Sequence, residues 1–227
     1  MMAVNMHRQG TELLEEWDWD TASPTGKSVL RGYAHKNGIA HEGVHLWVLR
    51  FSGKEPEVLF QKRAHNKEMY PGYLDITVGG HVTFGISEGK IQKEAHEEIG
   101  IEFDERNLID LGYFRYEEID DAIFHREFQR VYLLVDERPL SEYRFNDGEV
   151  EGVVAVRLGD LSRLMEEDFS FKIEGFDGKT VSKEMVSRKD FHPLLFAPSM
   201  VEYMKVLLVA ISELFHSGRV TVKMPSP

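Results

Sequence analysis

The sequence predicts a mixed α/β fold, a mixed sheet with helices packed on it, on three observations. Short strand-like apolar runs outnumber helical ones along the 227 residues. One helix of clear amphipathic period stands near the middle, between strands. A second lies near the C-terminus just after Pro198, a residue suited to a helix start. Many strands with few helices call for helices layered on a sheet, here with a C-terminal helical extension.

The elements follow in chain order. Glu12 to Ala34 reads as a hairpin with its turn at Ser23-Pro24-Thr25-Gly26. Val44 to Phe51 is nearly unbroken apolar sequence, the signature of a buried strand. Val58 to Arg63 is a second strand whose basic end, Lys62-Arg63, leaves the core. A turn at Tyr70-Pro71-Gly72-Tyr73 leads into a short strand, Leu74 to Val78, that ends in Gly79-Gly80. Ser87 to Ile99 has helical spacing through Ile91, Ala95 and Ile99. Ser87 is the expected N-cap, Glu88 suits the first turn, and Gly100 suits the stop. Gly89 within the first turn costs about 1 kcal/mol against alanine.

Strands follow at Leu111 to Glu117, Phe128 to Val135 and Val150 to Val156, then a short helix at Leu161 to Glu167. Ser199 to His216 is a helix with an apolar stripe through Met200, Met204, Leu207, Leu208, Ile211 and Phe215. The expected organisation is one catalytic domain over residues 1–165, hairpin included, and an extension over 166–227 whose helix packs on the same core.

Composition narrows the functional classes. Hydrophobic residues make up 42% and charged residues 29%, an ordinary globular profile. The absence of cysteine excludes disulfides, thiolate metal sites and cysteine nucleophiles. A net charge of -12 with no basic stripe argues against a nucleic-acid polymer as partner. No apolar run approaches the ~20 residues that cross a bilayer. Met1 to Gly10 lacks the apolar core of a signal peptide. The expectation is a cytoplasmic protein with no membrane partner. An acidic chain can still act on anionic phosphates, provided metal ions or a local basic cluster assist.

The informative stretch is Lys93-Glu94-Ala95-His96-Glu97-Glu98-Ile99-Gly100-Ile101. On a helix, Glu94, Glu97 and Glu98 fall within one arc of about 100°, beside the apolar arc of Ile91, Ala95 and Ile99. Three carboxylates so close repel one another and raise one another's pKa. A hard divalent cation relieves that repulsion, and Mg²⁺ commonly completes its shell with substrate phosphates. Alone, the spacing is equally that of a solvated acidic face. Gly79-Gly80-His81-Val82 precedes the helix, and its glycines permit close backbone approach and a sharp turn.

Together these stretches resemble the Nudix box, which reads G, five residues, E, seven residues, R-E-U-x-E-E-x-G-U, with U aliphatic. Phe60-Gln61-Lys62-Arg63, Tyr70-Pro71-Gly72-Tyr73-Leu74-Asp75 and Arg126-Glu127-Phe128 are similar to the branch of Nudix proteins that resembles isopentenyl-diphosphate isomerase. The resemblance spans roughly residues 12–160 and implies a Nudix-like α/β/α sandwich. It implies a metal-dependent hydrolase that cleaves a diphosphate linkage in a nucleoside diphosphate derivative or related small molecule, using Mg²⁺ or Mn²⁺.

By the resemblance, Glu94, Glu97 and Glu98 are metal-binding residues, with Glu127 a further ligand. Glu94, Glu98 and Glu149 are the catalytic carboxylates. Lys62, Arg63, Gly79, Gly80 and His81 line the substrate. Glu149 also reads as a turn residue after Asn146-Asp147-Gly148, and Lys62 and Arg63 as surface charges at a strand end. Lys93 stands where the family has arginine, which keeps the charge but loses the planar fork. The first box glutamate is absent: its place falls on Gly85 or Ile86 according to the direction of counting, because the loop is one residue short.

His35, His41 and His81 lie near positions where the isomerase branch has metal ligands, and imidazole suits transition metals. That branch requires a cysteine where Gly79 stands, so isomerase chemistry on an isoprenoid diphosphate is disfavoured. The preferred reading of these histidines is structural, with His81 hydrogen-bonded in a glycine turn. Two other classes stay open. One is a non-catalytic Nudix-like ligand-binding domain, motivated by the altered box. The other is an interaction protein that uses the C-terminal stripe, which also suits a homodimer contact. Trp17, Trp19 and Trp47 could stack on a base, though core packing is the commoner use.

Overall fold

The structure is a computed structural model that describes residues 11–51, 53–67, 69–86, 88–119 and 124–225. Its strands are β1 (Leu13–Asp18), β2 (Ser23–Leu30), β3 (His41–Arg50), β4 (Glu57–Arg63), β5 (Leu74–Ile76), β6 (Val78–His81), β7 (Ile109–Ile119), β8 (Phe124–Val135), β9 (Val150–Arg157), β10 (Phe171–Phe176) and β11 (Val181–Val186). Its α-helices are α1 (Arg31–Asn37), α2 (Lys90–Ile99), α3 (Leu158–Glu166) and α4 (Val201–Ser217).

Strand β3 is the hub of the sheet. It pairs antiparallel with β4 and β6, and parallel with β8 from His41 to Leu49. That parallel pair makes an otherwise antiparallel sheet mixed. Side chains alternate across a strand. His41, Gly43, His45, Trp47 and Leu49 therefore face one side of the sheet, and Glu42, Val44, Leu46 and Val48 face the other. On the first side Trp47, Leu49, Val131 and Leu133 pack with Leu161 and Leu164 of α3 and with Met204, Leu207 and Ile211 of α4. On the second, Val44, Leu46 and Val48 pack with Ile91, Ala95 and Ile99 of α2. The result is the α/β/α layering expected from the sequence. No described helix is long and apolar enough to cross a membrane.

The stripe on α4 is intramolecular core, which removes the alternative of an interaction protein built on that stripe. Met204, Leu207 and Ile211 are at most 1% exposed. Each such side chain contributes about 1.5–3 kcal/mol by leaving water. Phe215 stacks edge-on against Phe51 with ring centroids 5.2 Å apart.

Local chemistry overrides the sequence reading at four places. The first hairpin turns at 19–22 rather than Ser23–Gly26, because Asp18 Oδ1 accepts the backbone N–H groups of Asp20 and Thr21, and Pro24 pairs with Trp17 within β2. Leu74 to Val78 is not one strand: it breaks at Thr77, whose hydroxyl turns inward to the Leu59 carbonyl and accepts from Val48 N–H at 3.1 Å. Gly79 and Gly80 are not a turn either. They lie inside β6, paired with His45 and Val44. Gly89 is the N-cap of α2, left-handed at φ 72°, so it is no helical defect. The N-cap expected at Ser87, and the expected absence of a leader in Met1 to Gly10, lie outside the described residues.

Candidate functional site

Helix α2 is amphipathic, and its apolar side docks on β3 and β6. Its C-terminal end leaves carbonyl groups without helical partners, as every helix does. Here the chain between 144 and 149 takes them up. Arg144 N–H donates to Ile99 O at 3.1 Å, Asn146 N–H to Glu97 O at 3.3 Å, and Asn146 Nδ2 to His96 O at 3.0 Å. Gly100 makes room for this docking: it sits at φ 69°, and a Cβ there would lie 2.6 Å from Arg144 Cβ.

That docking carries Asp147 and Glu149 to Glu98. One carboxylate oxygen from each of the three lies within 4.8 Å of the others. Glu98 is 5% exposed, and its buried Oε2 has no hydrogen-bond partner. Burial first, then the charges of Glu94, Asp147 and Glu149, push its carboxyl well above the usual range against the opposing pull of Lys67. Burial likewise pushes Asp147 up to about 6. Lys67 forms an ion pair with Glu149.

The other two box carboxylates flank this group and are held by lysines. Glu94 pairs with Lys90 at 3.1 Å, and Glu97 with Lys93 at 3.2 Å. Lys93 thus does pair with a box glutamate, through one ammonium rather than a guanidinium fork. Gly80 leaves room for Glu94 in this position, since a Cβ would fall 2.9 Å from Glu94 Cδ and displace that side chain. The close approach read from the sequence is real, although the sharp turn is not.

Glu127, expected as a further metal ligand outside the box, is not part of this group. It aligns with His41, on the face of the sheet turned away from α2. There it meets His35 of α1, His41 at the start of β3, His81 at the end of β6 and His125 in β8, with one donor atom of each of the five within 4.8 Å of the others. Glu127 Oε1 is 2.9 Å from His81 Nε2, 2.5 Å from His125 Nε2 and 3.4 Å from His41 Nε2. His35 Nε2 is 3.2 Å from His81 Nε2. Burial lowers His35 and His81 to about 3, with neighbouring imidazoles adding to the effect at both. Burial would raise Glu127, but the charge and hydrogen bond of His125 and the hydrogen bonds of His41 and His81 hold it well below the usual range. His81 therefore sits in a histidine cluster, and not in a glycine turn beside α2.

The remaining expected residues have other partners. All three groups of the Arg63 guanidinium donate within the turn that follows: Nε to Tyr70 O at 3.1 Å, one terminal nitrogen to Asp75 at 3.0 Å, the other to Met69 O at 3.0 Å. Lys62 lies 3.9 Å from Glu184 on β11. Gly79 faces His45, whose Cδ2 would be 3.6 Å from an added Cβ. Trp47 is buried core, Trp17 packs on Phe128, and Trp19 lies under the Arg115 guanidinium at 3.9 Å. Sequence reasoning passed over Asp147, Lys67 and His125. Only Asp147 left a signal, as a second acid two residues before Glu149.

No protein-family model matches the chain. Curated relatives do. An uncharacterized Nudix hydrolase of Clostridium acetobutylicum is 28% identical over 188 residues, 81% of this chain and 89% of the relative. An uncharacterized Nudix hydrolase of Listeria innocua is 32% identical over 154 residues, 66% of this chain and 85% of the relative. Among solved structures, a protein of Deinococcus radiodurans superposes with a TM-score of 0.52 at 21% identity, covering 68% of this chain and 90% of that one.

Proposed function

This chain belongs to the Nudix hydrolase family, and on that premise we propose that it is a pyrophosphohydrolase that cleaves a diphosphate linkage with a divalent metal held at Glu98, Asp147 and Glu149. The observation that carries the reading is the buried, unpartnered Oε2 of Glu98 facing two further carboxylates. Three acids in one place repel one another, and a divalent cation relieves that repulsion. The donors are oxygen only, which suits Mg²⁺ or Mn²⁺ rather than softer ions.

When bound, such an ion neutralises phosphate oxygens and lowers the pKa of water. The residues of the chain do the rest. Glu98 accepts the proton of the attacking water as the general base. The water oxygen bonds to phosphorus as the bridging P–O bond breaks. Glu149 and Asp147 keep the site anionic enough to retain the cation, while Lys67 holds Glu149 in place. Glu94 and Glu97, fixed by Lys90 and Lys93, extend the acidic rim along α2. A cavity of about 290 Å³ on the same face, between Glu42, Lys90, Ile91, Arg130 and Tyr132, supports a place for the group beyond the diphosphate. The substrate class proposed is a nucleoside diphosphate derivative. A cytoplasmic setting and a homodimer complete the proposal, to be scored by fractionation and light scattering.

The test is turnover on a diphosphate panel with Mg²⁺ by wild type, Glu97→Gln and Glu98→Gln. Undiminished turnover in the variants would remove the mechanism. Binding of the panel compounds without release of product, at any divalent metal, would favour the non-catalytic reading.

A further inference from the structure

Resting on the reading of Glu98, Asp147 and Glu149 as the metal site, we propose that Asn146 is the positioning residue that assembles it. Asn146 acts through its neighbours. It ties the segment before β9 to the end of α2, and so sets Asp147 and Glu149 against Glu98.

The last four carbonyls of a helix lack helical partners. In α2 they belong to His96, Glu97, Glu98 and Ile99. Asn146 meets two of them by itself. Its backbone N–H donates to Glu97 O at 3.3 Å, and its side-chain Nδ2 donates to His96 O at 3.0 Å. This post calls for an uncharged donor. The carbonyls give the end of a helix partial negative charge, which repels a carboxylate. A lysine or arginine would satisfy the carbonyls, yet its charge would also pair with the acids that hold the ion. The asparagine amide donates without doing so. Asn146 is itself exposed, and Phe145 beside it packs on Phe176 with ring centroids 6.0 Å apart. Removing the amide therefore leaves no cavity, and the segment keeps its apolar anchor.

The other end of the segment is held separately. Ala64 N–H donates to Glu149 O at 2.9 Å, and Lys67 pairs with the Glu149 carboxylate. Asp147 lies between the two anchors, its Oδ1 accepting Glu149 N–H at 2.8 Å. Releasing the α2 anchor lets Asp147 swing on Glu149 while Glu98 stays fixed in its helix. The three carboxylates then cease to converge, which weakens ion binding more than it weakens the fold. A bound ion draws the same three carboxylates together, so ion and amide support one arrangement and each favours the other.

The test uses the full chain. Mn²⁺ binding is read by electron paramagnetic resonance, and turnover on the diphosphate panel is read against Mg²⁺ concentration. Asn146→Ala should weaken Mn²⁺ binding by about three- to tenfold, the range of one net hydrogen bond. Its kcat should fall at limiting Mg²⁺ and recover at saturating Mg²⁺, with the melting temperature in chelator lowered by only about 2–4 °C. Amide exchange over residues 144–149 in chelator should quicken. Asn146→His, which keeps an N–H donor at the same reach, should restore Mn²⁺ binding and slow exchange. A lowered melting temperature with Mn²⁺ affinity unchanged would mark a merely structural role and overturn the proposal. Equal weakening in Asn146→Ala and Asn146→His would overturn the part given to the donor. Mn²⁺ binding lost in Glu98→Gln but unaltered in Asn146→Ala would overturn the positioning role alone, whereas no Mn²⁺ binding by wild type would overturn the metal reading with it.

Discussion

Replacing Glu98 by glutamine removes one charge from the buried carboxylate group and keeps the side chain's length and shape. In the wild-type protein this carboxyl is raised by burial and then by Glu94, Asp147 and Glu149. A raised folded-state pKa means that the folded chain binds more protons than the unfolded chain. Its stabilising contribution is complete below about pH 4.3 and is lost as pH rises through the folded pKa. At any pH above its folded pKa, in chelator, the ionised Glu98 is therefore a cost, on the order of 1–3 kcal/mol for a buried group with an unsatisfied atom. The amide sheds the charge, and at about 2–4 °C per kcal/mol the variant should melt a few degrees above wild type. Mg²⁺ should reverse the order. An ion present at 100 times its dissociation constant stabilises wild type by about 2.7 kcal/mol, and the variant by far less. Turnover should fall by about 10²–10⁴-fold with the loss of a general base. Thermal melts with and without Mg²⁺, beside turnover, make the assay. A variant that melts below wild type in chelator, yet keeps the full Mg²⁺ shift and turnover, would refute the reasoning.

Three further outcomes are expected. Gly80→Ala should drive Glu94 from its place, because the new methyl falls 2.9 Å from Glu94 Cδ; kcat should drop at least tenfold while stability changes by about 1–3 kcal/mol, read from kinetics beside urea melts. Gly100→Ala combines a left-handed φ of 69° with a methyl 2.8 Å from Arg144 O, so it should cost about 2–4 kcal/mol in urea unfolding and displace Asp147. His45 and His192 are both lowered by burial, so the unfolded chain binds more protons than the folded one below about pH 6.5. This contribution should be lost in chelator from pH 7 to pH 5, against the opposite trend of Glu98 and Asp147, so it is read as the difference between the urea-midpoint profiles of wild type and His192→Gln; parallel profiles would contradict the burial of a neutral imidazole there.

Elements with an apolar run or a helical period were legible in the sequence: β3, β4, β7, β8, β9, α2, α3 and α4, with the β1–β2 hairpin legible apart from its turn. Others were hidden for physical reasons. Helix α1 buries only Ala34, so it has no apolar period to read. Strand β11 is an edge strand with Val186 as its one buried residue. Strand β10 did alternate, with Phe171 and Ile173 inward, and Asp177-Gly178 after it is a hairpin signal that went unused. At the site, helical spacing alone brought Glu94, Glu97 and Glu98 to notice. Asp147 and Glu149 join Glu98 only through hydrogen bonds to the end of α2, which no spacing reveals. The same holds for the histidines. His35, His41, His81 and His125 come from four segments, and sheet register rather than sequence distance assembles them around Glu127. Register is also why Glu127 stands apart from α2, on the other face of β8.

The most direct test of the central claim is product analysis of a diphosphate panel (nucleotide sugars, dinucleotides, modified nucleoside triphosphates and isoprenoid diphosphates) in ¹⁸O-labelled water with Mg²⁺. Hydrolysis through Glu98, Asp147 and Glu149 predicts release of two phosphate-bearing fragments from at least one compound, with one ¹⁸O on the attacked phosphorus and loss of the reaction in chelator and in Glu98→Gln. Binding of these compounds with no label incorporated at any divalent metal, or label incorporated undiminished in Glu98→Gln, would contradict it.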